Sequence, residues 1–226
     1  MGGALAIFMN SSLKYDNLRL DTQHLWPSSI GNVLEIGCGP ARLAEILDFE
    51  SYWGVEPDAL AVDSVRALAK PNIQVIHADY ASALSRLPTD FFDLVICHDS
   101  IEHLPDHDHF FSTLPQLCRS GARLVLTIPN MRHLLLLVNL LVHRDWPYSE
   151  VGLMDRTHLR WFTEKSLRKD LAKYGYEIEA FERMQPTFFT NNPIKIALAN
   201  VAALALGQDC RYVYFAARLL VPSSRK

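Results

Sequence analysis

The stretch "NVLEIGCGPARLAEIL", residues 32–47, decides how this chain is expected to fold. A short apolar run leads into Gly37 and Gly39, and a segment with helical periodicity follows over 41–48. A strand, a glycine turn and a helix in this order are typical of α/β folds that bind nucleotide cofactors, because glycine lets a ligand approach the backbone closely. By itself, the turn also fits a tight connection that binds nothing.

Apolar, β-branched runs alternate with helical patterns along most of the chain. The predicted strands are 32–37, 51–56, 72–77, 92–98, 122–129, 176–183 and 211–219, and the predicted helices are 41–48, 58–70, 107–119, 132–143, 163–174 and 193–206. This alternation predicts βαβ units and an α/β fold with one doubly wound, Rossmann-like, mostly parallel sheet. We expect a single domain over 1–226, with an N-terminal helical segment over 1–30 and a lid or substrate insertion over 131–162.

The composition limits which binding partners and which cellular compartment are expected for this chain. The net charge is −3 and no block of Lys and Arg occurs, so electrostatics give no case for a nucleic-acid partner. The four cysteines are scattered, without a CxxC pair. Scattered cysteines predict free thiols in a reducing compartment, and we therefore expect a cytoplasmic protein.

Acidic residues at the strand ends indicate which cofactor the turn holds. A dinucleotide fold carries a third glycine where this chain has Arg42, which argues against a pyrophosphate. Glu35 is costly to bury unless it meets a cation such as an amine. Glu56 ends the second strand, where a carboxylate accepts both hydroxyls of a ribose. Asp79 ends the third strand as an acceptor for an adenine amino group or as a helix N-cap, and Tyr80 would stack on the adenine.

Five stretches resemble, in order and spacing, the motifs of class I S-adenosylmethionine-dependent methyltransferases: "VLEIGCGPARLAEIL", "YWGVEPD", "HADY", "FDLVICHDSIEHLPD" and "RLVLTIPN". The resemblance covers residues 30–183 and implies S-adenosylmethionine as cofactor and a seven-stranded sheet whose last strand is antiparallel. It implies that Glu35, Gly37 and Gly39 hold the methionine moiety, Glu56 with Pro57 the ribose, Asp79 and Tyr80 the adenine, and that His98 and Asp99 lie near the sulfonium. The chain departs from the motif after Gly39, where Pro40 is followed by Ala41 at the position of a third small residue that is often glycine.

The stretch "HDSIEHLPDHDHF", residues 98–110, raises the question of a metal. Asp99, Glu102 and His103 can converge with donors suited to Mg²⁺ or Zn²⁺, and a similar arrangement occurs in ubiquinone-pathway O-methyltransferases. The sequence "EHLPD" is also common in methyltransferases not known to need a metal, where the glutamate and histidine begin a helix. We therefore predict no metal.

The region 128–163 resembles the corresponding part of small stand-alone bacterial methyltransferases, which often accompany cell-surface polysaccharide or natural-product biosynthesis. The apolar run 134–142 is too short to span a bilayer and predicts a core-covering helix or lid. A membrane-touching surface and an oligomer interface remain as alternatives. We expect a monomer or a homodimer.

Methyl transfer to a hydroxyl or amine needs a base, because the acceptor must lose a proton. His158 and His103 are the predicted catalytic residues, since imidazole titrates near neutrality. The predicted substrate contacts are Tyr15, Arg156, Arg160 and Trp161. For His158 and Arg160, a purely structural role that pins the lid to backbone carbonyls remains open.

The sequence thus predicts methyl transfer from S-adenosylmethionine to a small-molecule acceptor, through an oxygen or nitrogen nucleophile. It does not name the acceptor. One alternative is an NAD-dependent oxidoreductase or epimerase, against which the missing third glycine counts. Another is a non-catalytic partner protein, for which erosion of the glycine turn would be expected.

Overall fold

A computed structural model describes residues 18–67, 70–186 and 193–223, and it contains one seven-stranded sheet. The strands are Asn32–Ile36 (β1), Ser51–Glu56 (β2), Ile73–His77 (β3), Phe92–His98 (β4), Cys118–Pro129 (β5), Glu177–Pro186 (β6) and Tyr212–Leu220 (β7). Their order across the sheet is β3-β2-β1-β4-β5-β7-β6. Only β7 is antiparallel to its neighbours, β5 and β6, so the predicted fold class is confirmed.

The described part of the chain contains six α-helices: Ala59–Arg66 (α1), Tyr80–Ala83 (α2), His107–Leu117 (α3), Leu134–Val138 (α4), Glu164–Lys173 (α5) and Pro193–Leu206 (α6). One turn of π-helix, Asn139–His143, continues α4. The α5 helix begins as predicted, with a capping box between Thr163 and Ser166.

Two helical predictions differ from the structure. The segment 41–48 contains only a short 3₁₀ helix, Arg42–Glu45, because the preceding Ala41 has a left-handed backbone with φ 52°. Of the N-terminal segment 1–30, the described part holds one 3₁₀ helix, Leu20–Leu25, and residues 1–17 lie outside the described ranges.

Both faces of the sheet are covered by apolar side chains, as expected for a parallel sheet between helices. On one face Leu34 and Val95 pack with Phe110 of α3, and on the other Val33 packs with Leu94. The four cysteines are buried free thiols. Among the described residues, no helix has the length and apolar character needed to cross a membrane.

The strand order reverses between β1 and β4, and ligands of such sheets bind beyond the carboxyl ends of the strands at this point. Two segments cover this edge. The N-terminal stretch 18–26 approaches β4, with Thr22 Oγ1 at 3.2 Å from His98 Nε2. The predicted lid, residues 131–162, is held by the backbone N–H groups of Leu159 and Arg160, which both donate to the carbonyl oxygen of Glu102. The candidate site lies beneath these two segments.

Candidate active site

The glycine turn after β1 runs against the end of β4. Gly37 has φ 74°, and a Cβ at this position would lie 2.4 Å from Ser100 Oγ. Ser100 Oγ itself hydrogen bonds to the carbonyl oxygens of Ile36 and His98, each at 2.8 Å. Only glycine fits at position 37. Ala41, where a third glycine is frequent in the motif, also adopts the left-handed backbone that glycine favours.

Glu56 links the glycine turn to the end of β2. Its buried carboxylate accepts hydrogen bonds from Gly39 N at 2.8 Å and from Asp58 N at 2.9 Å. Each carboxylate oxygen has a second lone pair, so this geometry still allows Glu56 to accept ribose hydroxyls. The neighbouring Pro57 contributes its carbonyl oxygen to a hydrogen bond with His77 Nε2 at 3.0 Å.

Glu35 is buried beneath the turn and accepts a hydrogen bond from the hydroxyl of Tyr52, on the adjacent strand β2. Burial raises the pKa of Glu35 to about 8, the Tyr52 hydrogen bond opposes this shift, and the Glu56 charge adds to it. A buried carboxyl in this state gains from a nearby cation, which is the role the sequence predicts for a methionine ammonium. Sequence reasoning missed Tyr52, because a tyrosine in an apolar strand has no distinguishing pattern.

Asp79 and Tyr80, the two residues predicted to contact the adenine, have different surroundings in the structure. Asp79 caps α2, accepting from Ser82 N at 2.8 Å and Ser82 Oγ at 2.9 Å, and these bonds lower its pKa. The N-cap alternative is therefore confirmed, and contact with adenine stays a prediction. The stacking role predicted for Tyr80 is wrong. As the first residue of α2, Tyr80 points into the core, with its ring edge-on to Phe110 at 4.9 Å and its hydroxyl 3.1 Å from Thr113 Oγ1.

His98 and Asp99 lie at the carboxyl end of β4, as expected. Asp99 Oδ1 accepts a hydrogen bond from the Thr127 hydroxyl at 2.7 Å. Burial raises the pKa of Asp99, while the nearby Arg19 charge and the Thr127 hydrogen bond oppose the shift. Burial, together with the Arg19 charge, lowers the pKa of His98 to about 3. His98 is therefore neutral at physiological pH.

The N-terminal stretch brings a buried cation, Arg19, to this edge. Its guanidinium lies 3.5 Å from Asp99 Oδ2, 3.5 Å from Asp21 Oδ1 and 4.3 Å above the ring of Tyr214. No local pattern in the sequence identifies Arg19, because two of these partners are distant in the chain: Asp99 directly follows β4, and Tyr214 lies on β7. Tyr15, the residue predicted to line the acceptor from this region, lies outside the described residues.

The two predicted bases, His103 and His158, are brought together, with ring centroids 4.7 Å apart in an edge-on arrangement. His103 Nδ1 lies 3.2 Å from the Thr157 carbonyl oxygen and 3.1 Å from the Thr157 hydroxyl. Burial, with a contribution from the charge of His103, lowers the pKa of His158 to about 4. The lid therefore presents a neutral imidazole at physiological pH.

Glu102 is a third ionisable residue beside His103 and His158. The Glu102 carboxylate is 1% exposed, lies 3.9 Å from His158 Nε2 and has no hydrogen-bond donor among the described residues. Burial, and next the charge of Asp99, raises its pKa. Glu102, His103 and His158 offer ligand atoms within 4.8 Å of one another, a donor set that suits a divalent ion. The prediction that no metal takes part stays a prediction.

The remaining predicted substrate contacts face elsewhere. Arg156 is paired at the surface with Glu150 at 2.8 Å. The Arg160 guanidinium donates to the carbonyl oxygens of Pro105 and Leu159, the structural arrangement that the sequence left open. Trp161 is half exposed. None of these contacts supports the substrate contact predicted for the two arginines.

Comparison with known proteins identifies the family. A family model described as a methyltransferase domain matches residues 13–180. The chain belongs to this family of methyltransferases. Family membership also confirms S-adenosylmethionine as the cofactor. The residues at the crevice fit it, because a glycine with no space for a Cβ is flanked by the buried acids Glu35 and Glu56.

Solved structures share the fold of this methyltransferase. An S-adenosylmethionine-dependent methyltransferase from Mesorhizobium loti is 17% identical, with a TM-score of 0.61 over 89% of this chain and 96% of that one. The [4+2]-cyclase SpnF is 17% identical, with a TM-score of 0.61 over 92% and 82%. An S-adenosylmethionine-dependent methyltransferase from Archaeoglobus fulgidus is 20% identical, with a TM-score of 0.59 over 92% and 93%.

One curated relative also matches part of the methyltransferase. It is described as a probable non-canonical nonribosomal peptide synthetase, CymA, from Salinispora arenicola. The match is 29% identical over 111 residues, which is 46% of this chain. The chain spans 1% of the length of that relative.

Proposed function

We propose that this methyltransferase transfers the methyl group of S-adenosylmethionine to an oxygen or nitrogen nucleophile of a small-molecule acceptor. The observation that carries the proposal is the His103–His158 pair, placed beside the end of β4 by the lid. When bound, the cofactor supplies a methyl group on a sulfonium, which makes the methyl carbon electrophilic. The chain supplies position, exclusion of water and a proton acceptor.

In this proposal His158 takes the proton that the acceptor loses. Its imidazole is neutral at physiological pH, since the pKa is lowered to about 4, and so it has a free lone pair. The Glu102 carboxyl lies 3.9 Å from His158 Nε2 and, in its ionised form, would stabilise the imidazolium that forms. His103 is fixed by Thr157 and packs against His158, so it orients the base or takes the proton in its place.

The class of acceptor is supported only by resemblance. The partial match to a peptide synthetase and the fold shared with a [4+2]-cyclase support a natural-product acceptor. A cell-surface polysaccharide is supported by the likeness of region 128–163 to the bacterial subgroup, and a quinone by the likeness of residues 98–110 to ubiquinone-pathway O-methyltransferases. We propose the cytoplasm as the location of the reaction and a monomer or homodimer as the active form.

The test is release of S-adenosylhomocysteine with a panel of phenols, sugars, acids and amines, read by mass spectrometry. His158→Gln should lower kcat by about 10²-fold or more on the accepted compound, while the affinity for S-adenosylmethionine stays unchanged. His109→Gln on α3 is the matched control and should keep full turnover. Unchanged turnover of His158→Gln would remove His158 from the mechanism.

Calorimetric titration separates the other functions. Binding of S-adenosylmethionine without turnover on any acceptor would favour a non-catalytic partner protein. Binding of NAD would favour an oxidoreductase or epimerase.

A further inference from the structure

Exposed aliphatic side chains are concentrated on two helical segments. On the π-helical turn that continues α4, Leu141 and Val142 are each 68% exposed. On α6, Val201 is 63% and Leu204 is 76% exposed. Large aliphatic side chains in water are common singly, but a contiguous group marks an interaction surface.

The two segments are neighbours in space. Leu134 of α4 forms a small buried cluster with Ala203 of α6 and with Cys210, and further apolar residues of both helices pack against it. The Arg132 guanidinium, just before α4, donates to the carbonyl oxygen of Leu206 at the end of α6. We call residues 134–143 and 193–206 together the apolar helix pair.

The apolar helix pair lies on the same sheet edge as the active site. One member follows the carboxyl end of β5, and the other precedes β7, which runs antiparallel to β5. The side-chain amide of Asn130 joins the two connections by donating to the carbonyl oxygens of Asp209 and Tyr212, at 2.8 and 2.9 Å. Residues 134–143 belong to the predicted lid, 131–162, and a later part of that lid contains His158.

The two stretches of sequence that contain this surface differ in net charge from the rest of the chain. Residues 131–148 and 193–211 contain four basic residues and two acidic ones, a net charge of +2: Arg132, Arg144, Lys195 and Arg211 against Asp145 and Asp209. The whole chain carries −3, so the other residues carry −5. The exposed Tyr148 ends the first of these two stretches. Aliphatic, aromatic and basic residues together are the composition of segments that lie in a membrane interface and attract anionic lipids.

We propose that the apolar helix pair docks on the surface of an anionic phospholipid bilayer, which places the active-site edge next to that surface. The α6 helix has 14 residues, which is about 21 Å of helix and too short to cross the hydrocarbon core, so it lies in the interface. The acceptor is then a molecule anchored in the bilayer, with its nucleophile at the headgroup level. This identity of the acceptor rests on the proposed methyl transfer, whereas docking does not.

Vesicle flotation tests docking without any turnover. The wild-type chain is mixed with vesicles of phosphatidylcholine alone, or of phosphatidylcholine with about 30 mol % phosphatidylglycerol. We expect binding to the anionic vesicles, weakened by salt. The double variants Leu141→Glu/Val142→Glu and Val201→Glu/Leu204→Glu should each lower the partition coefficient by about tenfold or more.

Leu60→Glu is the matched control, because Leu60 is 82% exposed but lies on α1, away from this surface. It should bind vesicles as the wild type does. Circular dichroism and the affinity for S-adenosylmethionine should be the same in all variants, which shows that the fold is intact. If the wild-type chain binds the anionic vesicles and the cofactor but turns over no acceptor, only the proposed methyl transfer fails.

Three results would overturn the docking proposal. The first is a wild-type chain that binds neither vesicle. The second is vesicle binding that the two double variants leave unchanged. The third is a wild-type dimer in solution that the double variants convert to monomers, with no vesicle binding, since the surface would then be an interface between two copies of this chain.

Discussion

Tyr52 donates its hydroxyl hydrogen to the carboxylate of Glu35, and both residues are buried beneath the glycine turn. The pair bridges β1 and β2. Cys38 is packed close by, since a Cβ on Gly54 would lie 2.4 Å from Cys38 Sγ, and Glu56 contributes a further negative charge. Burial, the Tyr52 hydrogen bond and the Glu56 charge set the pKa of Glu35, and none of these is a cation. We therefore expect a bound ligand to supply the counter-charge of this carboxyl.

We expect the affinity for S-adenosylmethionine to depend on the protonation of Glu35. Its pKa is raised to about 8, so in the free protein the carboxyl is mostly protonated at neutral pH. The methionine ammonium favours the ionised form, so cofactor binding should release a proton, and binding should strengthen as pH rises toward 8. Tyr52→Phe removes a bond that lowers this pKa, so the midpoint should move to higher pH.

Calorimetry in buffers of different ionisation enthalpy measures both the affinity and the proton count. Glu35→Gln is the control, because it keeps the shape and removes the titrating group. Any pH dependence that survives in Glu35→Gln belongs to the cofactor's own amine. Equal proton release by the wild type and Glu35→Gln would contradict the prediction.

The same group should make the free protein less stable as pH rises. The pKa of Glu35 is about 8 in the folded chain and near 4.5 when exposed, so between these values the folded state binds more protons than the unfolded state. The free energy of unfolding therefore falls as pH rises through this window, by an amount on the order of a few kcal/mol. Urea unfolding at several pH values measures the slope, and Glu35→Gln should flatten it.

Glu56 should matter for cofactor binding through charge. Its carboxylate is the acceptor for the N–H groups of Gly39 and Asp58, and Glu56→Gln replaces it with a weaker, neutral acceptor. The same carboxylate is predicted to accept hydrogen bonds from the ribose hydroxyls of the cofactor. A hydrogen bond to a charged group is worth about 1.5–3 kcal/mol, so loss of the charge should lower the affinity for S-adenosylmethionine by about tenfold to 100-fold. Glu50→Gln, at an exposed glutamate before β2, is the control. An unchanged dissociation constant for Glu56→Gln would show that Glu56 does not contact the cofactor.

The sequence predicted the elements whose signals are local. Seven strands, the N-cap at Thr163 and the acids at the strand ends follow from periodicity and residue type over a few positions. Arg19 and Tyr52 could not be found in this way, because their roles depend on partners brought near by the sheet. The adenine-stacking role predicted for Tyr80 fails for the same reason. A position directly after Asp79 does not determine whether the ring on α2 points toward the crevice or into the core.

Gly37 should tolerate no side chain, and a second glycine provides the comparison. Gly37→Ala adds a Cβ that would lie 2.4 Å from Ser100 Oγ, at a φ of 74°. Gly121→Ala has a similar φ of 86° with nothing within 4 Å, so it carries only the backbone cost of about 1 kcal/mol. We expect Gly37→Ala to lose cofactor affinity and more stability than Gly121→Ala. Equal losses in thermal unfolding would mean that Ser100 moves away freely.

Removal of metal ions tests the cluster of Glu102, His103 and His158. We expect turnover to survive extended dialysis against a chelator, because proton acceptance by a neutral His158 requires no metal. The measurement is kcat before and after dialysis, with metal content determined by mass spectrometry on the same samples. Loss of turnover that one divalent ion restores would instead assign these three donors, which lie within 4.8 Å of one another, to a metal site. Glu102→Gln would then abolish the restoration, whereas in the metal-free mechanism it weakens only the stabilisation of the imidazolium and lowers kcat without any dependence on the ion.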